Sequence, residues 1–197
     1  VSFSRDGFHW DRPYRDAFIP ATRVPGSWDR GYVQSVGGIC TVVGDQLRFY
    51  YIGFKGGDSS SYMHSNGATG MATLRRDGFA SMSTTGEGSL TTHPVKFSGK
   101  YMFVNVNCPA GELKVEILDK NNKVIDGFSA DKCKAVTIDS TIQQVEWNGA
   151  SDLSSLAGQE VRFRFKLKNG DLYAFWVSPS TNGESNGYVA GGGPGYT

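Results

Sequence analysis

The carboxylate side chains of this sequence are candidates for acid–base or nucleophilic catalysis. Two carboxylates about 5 Å apart, or roughly 6.5–9.5 Å apart, can serve as acid, base or nucleophile in the cleavage of a glycosidic bond. The acids that come into question are Asp6, Asp11, Asp16, Asp29, Asp45 and Glu87. The sequence alone does not bring any two of them to either separation, so it assigns no catalytic pair.

Histidines and glycines do not indicate a metal or phosphate site. His9, His64 and His93 are widely separated in the sequence, which does not favour a zinc triad. The glycine-rich residues 191–195 lack the lysine and the following helix of a phosphate-binding loop. We therefore expect no cofactor, and the sequence allows a structural calcium ion among scattered Asp and Asn side chains without assigning one.

The three cysteines do not fix the redox compartment. Cys40 lies in an apolar run, residues 39–43, and is predicted to be a small buried hydrophobe in a strand. Cys108 and Cys133 could form a disulfide if their strands are neighbours, but a sequence does not give a Cα separation. That bridge stays open at this point.

Aromatic and amide side chains are the most suitable groups for binding a sugar. Tyr101, Phe103 and Asn105 alternate with apolar residues and so share one face of a predicted strand. Aromatic faces with a few polar groups suit a carbohydrate, and Trp147 and Tyr173 are further candidates. The alternative, which we favour, is that these aromatic residues pack in the core or against a neighbouring domain.

Composition excludes several classes of function. The chain has 197 residues, with 20 Lys and Arg against 19 Asp and Glu, a net charge of +1. This balance gives no electrostatic reason to expect nucleic acid or an anionic membrane as a partner. No apolar run approaches the ~18 residues that span a bilayer, and no signal peptide opens the chain, so an export signal would have to precede Val1.

The elements that must position these residues are predicted to be β-strands. The 26 glycines punctuate short β-branched and aromatic runs, and no segment sustains a helical period. Residues 4–10 read as a hairpin with an Asp-Gly turn, and Phe8 and Trp10 are expected to be buried on one face. A second hairpin is predicted from residues 39–43 and 47–52, joined at Gly44-Asp45.

A change of pattern suggests two parts. We predict a blade-like segment over residues 1–55, a small-residue linker or loop over 56–70, a β-sandwich over 71–179 and a glycine-rich tail over 180–197. Strict apolar and polar alternation predicts antiparallel sheets over a common core, in a sandwich of jelly-roll type. Its turns are expected at residues 119–123 and 168–171.

One strand of the predicted sandwich carries three outward cations, Arg162, Arg164 and Lys166. They could bind an acidic polysaccharide. Glu112 and Glu116 are available as cross-strand partners, however, and a solvated, charge-paired face is the interpretation we favour.

Five segments taken in order resemble a known group of proteins. They are residues 4–10 (SRDGFHW), 26–31 (GSWDRG), 44–51 (GDQLRFYY), 72–79 (ATLRRDGF) and 172–179 (LYAFWVSP). The first three are similar to the last blade of the five-bladed β-propeller glycoside hydrolases related to families 32 and 43. The other two resemble the entry and the closing strand of a C-terminal β-sandwich in a bacterial group of these proteins.

The resemblance implies an all-β chain from a secreted, extracytoplasmic parent that acts on carbohydrate. The principal acids of that family lie in earlier blades, so no catalytic residue is transferred to this chain. The segment that begins the innermost strand of a blade corresponds to Trp28, Asp29 and Arg30, which become candidates for sugar binding; the alternative for Asp29 is a turn acid.

The function that we expect is carbohydrate binding without cleavage. Two alternatives stay open, namely a hydrolase completed by missing blades or another chain, and a purely structural sandwich. The implied partners are a glycan and either a propeller or a second copy of this chain.

Overall fold

The computed structural model describes residues 1–4, 6–35, 37, 40–57 and 62–185. Over this part of the chain it has nine β-strands and one short 3-10 helix, Ser154–Leu156. The prediction of an all-β fold is confirmed, and the antiparallel sheets are consistent with a sandwich. No helix in the described ranges is long and apolar enough to cross a membrane.

The chain divides into two compact units, Val1–Leu74 and Arg75–Thr197. The sequence predicts a linker over residues 56–70, but residues 67–70 begin a strand that belongs to the sheet of the first unit. Gly67 and Gly70 resemble linker residues by composition. In the structure the rings of Phe54 and Trp28 lie against them, where a Cβ atom would come within 2.9 Å and 2.6 Å of ring carbons.

The first unit is built around one long strand. Its four strands are β1 (Tyr32–Ser35), β2 (Thr41–Val43), β3 (Gln46–Phe54) and β4 (Gly67–Arg75). β1 and β2 both pair antiparallel with β3, and β4 pairs with it as well. β2 and β3 form the predicted hairpin, in which Gly44 has a φ of 57° that suits a tight turn.

Both faces of β3 carry aromatic side chains. On one face Phe18 packs edge-on against Phe49, with ring centroids 5.2 Å apart. On the other, His64 packs edge-on against Tyr32 and Phe54. His64 therefore takes part in an aromatic cluster of the first unit.

The Asp-Gly turn forms, but the two aromatic residues after it are not buried. The Asp6 carboxylate accepts hydrogen bonds from the backbone amides of Phe8 and His9, and Gly7 has a φ of 77°. These bonds keep residues 8 and 9 inside the turn, so pairing begins only at the Phe3–Asp11 bridge. The expected burial is wrong, because Phe8 is 87% exposed and Trp10 64% exposed.

The second unit is a five-stranded antiparallel sheet. Its strands are β5 (Met82–Thr91), β6 (Tyr101–Asn107), β7 (Glu112–Leu118), β8 (Asp139–Val145) and β9 (Arg162–Ser178). Along one edge, β9 pairs with β5. Along its other edge, the first part of β9 pairs with β7 and the last part pairs with β6. β8 lies beyond β6. The jelly-roll connection order stays a prediction.

The turn predicted at residues 168–171 is wrong. This segment lies inside β9, whose 17 residues continue through it, with Lys168 and Gly170 both paired to β5. Asn169 adopts a left-handed φ of 44° there, and the partner β5 shifts register between Thr84 and Glu87. The Asn-Gly sequence thus bends a continuous strand where β9 changes partners from β7 to β6, whereas the turn at residues 119–123 does form.

The core of the second unit lies on the side of the sheet that the alternation predicts. The side chains of β6, β7 and β9 that the alternation turns inward are buried, namely Met102, Val104, Val106, Leu113, Val115, Ile117, Phe163, Phe165 and Leu167. Burial of one such aliphatic or aromatic side chain contributes about 1.5–3 kcal/mol.

The opposite face of β7 and β9 shows the expected cross-strand charges. Glu116 lies opposite Arg164, and its two carboxylate oxygens lie 2.9 Å from Arg164 and 3.3 Å from Lys166. Arg162 donates to the carbonyl of Thr92. Glu116 is itself buried, because these two cations cover it.

The cysteines are all free thiols. Cys108 and Cys133 are buried, and burial raises the pKa of both thiols. Cys108 donates to the carbonyl of Val136, whereas Cys133 accepts from the amide of Val115. Cys40 is only half-buried and lies outside a strand, contrary to the sequence prediction, while its neighbour Ile39 lies outside the described residues.

Candidate functional site

The indole of Trp28 lies directly on two glycines of the first unit. A Cβ atom on Gly53 of β3 would come within 2.4 Å of Trp28 Cζ3, and one on Gly70 of β4 within 2.6 Å of Cη2. Real Cβ atoms do not approach carbon so closely, since the optimal separation is about 3.5–4.0 Å. Glycine at both positions therefore lets the six-membered ring rest on the backbone of the sheet.

Trp28 remains substantially accessible in this position. Its side chain is 40% exposed, and its ring centroid lies 5.7 Å from that of Tyr51 at an angle of 35°. The ring is thus supported by the sheet from below and by Tyr51 at the side. A fixed, partly exposed indole is the kind of surface on which an apolar ring face can stack.

Asp29 is buried beside the indole with one oxygen unused. It is 4% exposed, and the hydroxyl of Thr22 donates to its Oδ2 at 2.9 Å. Oδ1 has no hydrogen-bond partner among the described residues. Oδ1 is itself shielded from solvent, so it is not accessible to a ligand in this arrangement.

Arg30 is exposed immediately after Asp29. Its backbone amide donates to the carbonyl of Ser27 at 3.3 Å, which closes a turn ahead of β1. Trp28 and Arg30 thus offer an exposed aromatic face and an exposed cationic donor from one short turn, and Asp29 is buried between them. The structure keeps together the three candidates that the sequence places in the first unit.

The candidates of the second unit are mostly buried. Phe103 stacks on Trp176 with ring centroids 5.8 Å apart and an angle of 18°. Gly183, from the segment after β9, lies over this pair, and its carbonyl accepts a hydrogen bond from Trp176 Nε1 at 2.9 Å. Phe103 is therefore covered by the beginning of the predicted tail, while residues 186–197 of that tail lie outside the described part.

Asn105 and Tyr173 belong to a cluster around Arg75. Arg75 donates from Nε to Asn105 Oδ1 at 2.6 Å and from Nη2 to the carbonyl of Val106 at 3.0 Å, and it also contacts Asp139. Its guanidinium lies 4.8 Å from the ring centroid of Tyr173. Burial raises the pKa of Tyr173.

This cluster sits where β6 shifts register against both neighbouring strands, and Asn105 is 1% exposed. Arg75 therefore satisfies the groups that the bulge leaves unpaired. Neither Asn105 nor the shielded face of Tyr173 is open to a sugar in this arrangement.

Trp147 and Tyr101 line one shallow cleft. Trp147 is 5% exposed, donates from Nε1 to the carbonyl of Val115 at 2.9 Å and packs edge-on against Phe128. Tyr101 is half-buried in the same cleft, whose volume is about 150 Å³ and whose polar lining includes Lys100, Lys134, Gln144, Glu146 and Asp152. This volume is below the roughly 300–1,000 Å³ of pockets that enclose a drug-sized ligand.

The sequence does not identify four residues of the Trp28 site, namely Thr22, Tyr51, Gly53 and Gly70. Glycine inside a strand often marks a close approach of another group to the backbone. Gly53 and Gly70 carry that signal, but only the fold shows that both serve the same indole. Within the described ranges, no group of three or more His, Cys, Asp or Glu side chains is placed to hold a metal ion.

Comparison of this chain with protein-family models, with curated proteins and with solved structures finds no significant match.

Proposed function

We propose that this chain binds a polysaccharide or oligosaccharide without cleaving it, as an accessory part of a protein related to glycoside hydrolases. The observation that carries the proposal is the indole of Trp28, held against Gly53 and Gly70 and left 40% exposed. Gly53 and Gly70 give the indole a bare stretch of backbone to rest on, and part of the ring stays open to a ligand.

The chemistry of the site suits a sugar ring. The C–H face of a pyranose packs on the indole, while its hydroxyls face polar groups at the edge of the ring. The guanidinium of the exposed Arg30 supplies donors for a sugar hydroxyl. Because the indole is already fixed, little side-chain entropy is lost when the sugar binds.

The proposal is tested by measuring affinity for plant, algal and bacterial glycans with wild-type protein and a Trp28→Ala variant. Stacking contributes about 0.5–1.5 kcal/mol beyond the burial of area, so we expect at least a several-fold loss of affinity in the variant. Trp10→Ala is the matched control, because Trp10 is an indole of the same unit that is 64% exposed, and no described glycine has it among its nearest contacts. No measurable binding to any glycan, or equal losses in both variants, contradicts the proposal.

Turnover is measured in the same assays. The proposal expects binding without release of reducing ends. Cleavage of an unsubstituted glycan by this chain, lost in Asp29→Asn, would instead favour a hydrolase.

A second candidate function is mechanical support of a larger propeller-type protein. It is favoured by the burial of Phe103, Asn105 and Trp147, which leaves the second unit with little exposed aromatic surface. In a longer parent protein, removal of the second unit would then lower solubility and leave glycan affinity unchanged.

A further inference from the structure

Asparagine followed by glycine is a chemically reactive pair. The backbone nitrogen of the residue after an asparagine can attack the side-chain amide carbon and close a cyclic imide, and glycine hinders this attack least because it has no side chain. The described part of the chain holds four such pairs, which begin at Asn66, Asn148, Asn169 and Asn182. A further pair, residues 186–187, lies outside that part. The fold decides which of the four can react.

Asn148 and Gly149 are the central residues of an exposed turn in the second unit. Trp147 and Ala150 bridge to each other across the turn, and Gly149 has a φ of 95°, which suits the second central residue of a type II turn. Both central residues are exposed, and no atom lies within 4 Å of a Cβ placed on Gly149. The turn therefore leaves room for a ring to close.

The groups that would react at this turn are not held by hydrogen bonds. Neither the side-chain amide of Asn148 nor the backbone N–H of Gly149 has a hydrogen-bond partner among the described residues. The backbone amide of Asn148 donates to the carbonyl of Lys132 at 2.7 Å, but this nitrogen takes no part in ring closure. The Asn148 side chain can therefore turn towards Gly149 N without breaking a hydrogen bond.

The side-chain amides of Asn66 and Asn182 are held in place. Asn66 donates from Nδ2 to the carbonyl of Gly56 at 3.2 Å. Asn182 donates from Nδ2 to Glu184 Oε1 at 2.7 Å, and its Oδ1 accepts from the Glu184 amide at 3.0 Å. Attack on either amide carbon requires these bonds to break first.

The Asn169-Gly170 pair is held by the sheet. Gly170 lies inside β9 and pairs with Thr84 of β5. A Cβ on Gly170 would lie 2.6 Å from the carbonyl oxygen of Asn107 and 2.6 Å from Cys108 Cβ, so the backbone is closely packed here. Ring closure at this pair has to wait for local opening of the strand.

We propose that Asn148 is the residue that deamidates in the native chain among the four described pairs. Hydroxide removes the proton of Gly149 N, which attacks Asn148 Cγ. The bond from Cγ to Nδ2 then breaks, and this nitrogen takes a proton from water and leaves as ammonia. Water adds to either carbonyl of the imide and gives aspartate or isoaspartate. Isoaspartate adds one carbon to the main chain of the turn that carries Trp147.

The test compares reaction rates in the native and the unfolded chain. The full chain is incubated in mildly alkaline buffer, with and without urea, and digested with trypsin. The pairs fall in the peptides 56–75, 135–162 and 169–197, and fragment masses separate Asn169 from Asn182. We expect Asn148 to lose its amide at similar rates in both states. The other three should react at least about tenfold more slowly in the native chain, because their contacts must open first.

Asn148→Gln is the matched control, because glutamine would have to close a larger ring and does so much more slowly. Residues 135–162 contain no other asparagine, so in the variant this peptide should not show the mass gain of an amide converted to an acid. If folding slows Asn148 as much as it slows the other three pairs, the inference is overturned. An equal mass gain in the variant peptide also overturns it.

Discussion

A methyl group placed beneath Trp28 is expected to disturb both the stability of the first unit and its affinity for a glycan. In Gly70→Ala the new Cβ would lie 2.6 Å from Trp28 Cη2 and 2.6 Å from Tyr51 Cζ. An ordinary carbon contact is about 3.5–4.0 Å, so the rings must move by about 1 Å. The indole is then lifted from the sheet on which it rests.

The size of the effect follows from this displacement. Overpacking of this kind lowers the free energy of unfolding by about 1–3 kcal/mol. Because Trp28 is partly exposed, its ring can tilt outward, and we expect a loss near the lower end of that range for Gly70→Ala. For a unit of this size 1 kcal/mol shifts the midpoint of thermal unfolding by roughly 4–8 °C. We expect a fall of that order in the first unit and a several-fold loss of glycan affinity.

The assay follows amide NMR signals of β3 during thermal unfolding, because these report on the first unit alone, and measures affinity by calorimetric titration. Gly86→Ala is the control, since no atom lies within 4 Å of its added Cβ and Gly86 needs no left-handed conformation. Wild-type stability and affinity in Gly70→Ala would refute the view that the two glycines support the indole.

Three further predictions concern other parts of the chain. A thiol reagent should label Cys40 first and reach Cys108 and Cys133 only after unfolding, because burial hides both thiols; a disulfide between them would leave only one reactive thiol. Glu116→Gln should lower the free energy of unfolding of the second unit by about 1–3 kcal/mol in urea titrations, since Arg164 and Lys166 lose their shared partner. Glu87→Gln, an exposed carboxylate in a 3.7 Å pair, should change that energy by less than about 1 kcal/mol. Hydrogen bonds from His9 and from the backbone lower the pKa of Asp6. The turn that Asp6 holds should therefore persist below the usual aspartate pKa near 4 and open only as the pH falls through the lowered pKa. Loss of the native amide NMR shifts of Phe8 and His9 near pH 4 would contradict this.

The strands with one polar face could be predicted well from the sequence. Period-two alternation in residues 102–106, 113–117 and 163–167 identifies the inward side chains, because burial on one face fixes the register. The same pattern makes Glu112 and Glu116 available as partners of the three cations, but only the fold pairs Glu116 with Arg164.

The parts that could not be predicted depend on contacts distant in sequence. Asn169-Gly170 has the composition of a turn, but two partner strands hold it inside β9. Phe103 and Asn105 lie on the nominal outer face, yet Gly183 and Arg75 cover them. Local composition does not show which distant residue will cover a side chain. For the same reason it does not show that Gly53 and Gly70 lie beneath Trp28.

The central claim is that Trp28 is the stacking surface for a glycan, and its most direct test is a glycan titration followed by NMR. The account predicts that the indole N–H signal of Trp28 and the amide signals of Gly53 and Gly70 shift together and saturate, while Trp147 and Trp176 do not respond. Saturable shifts centred on Trp147 or Trp176, with Trp28 unchanged, would contradict it.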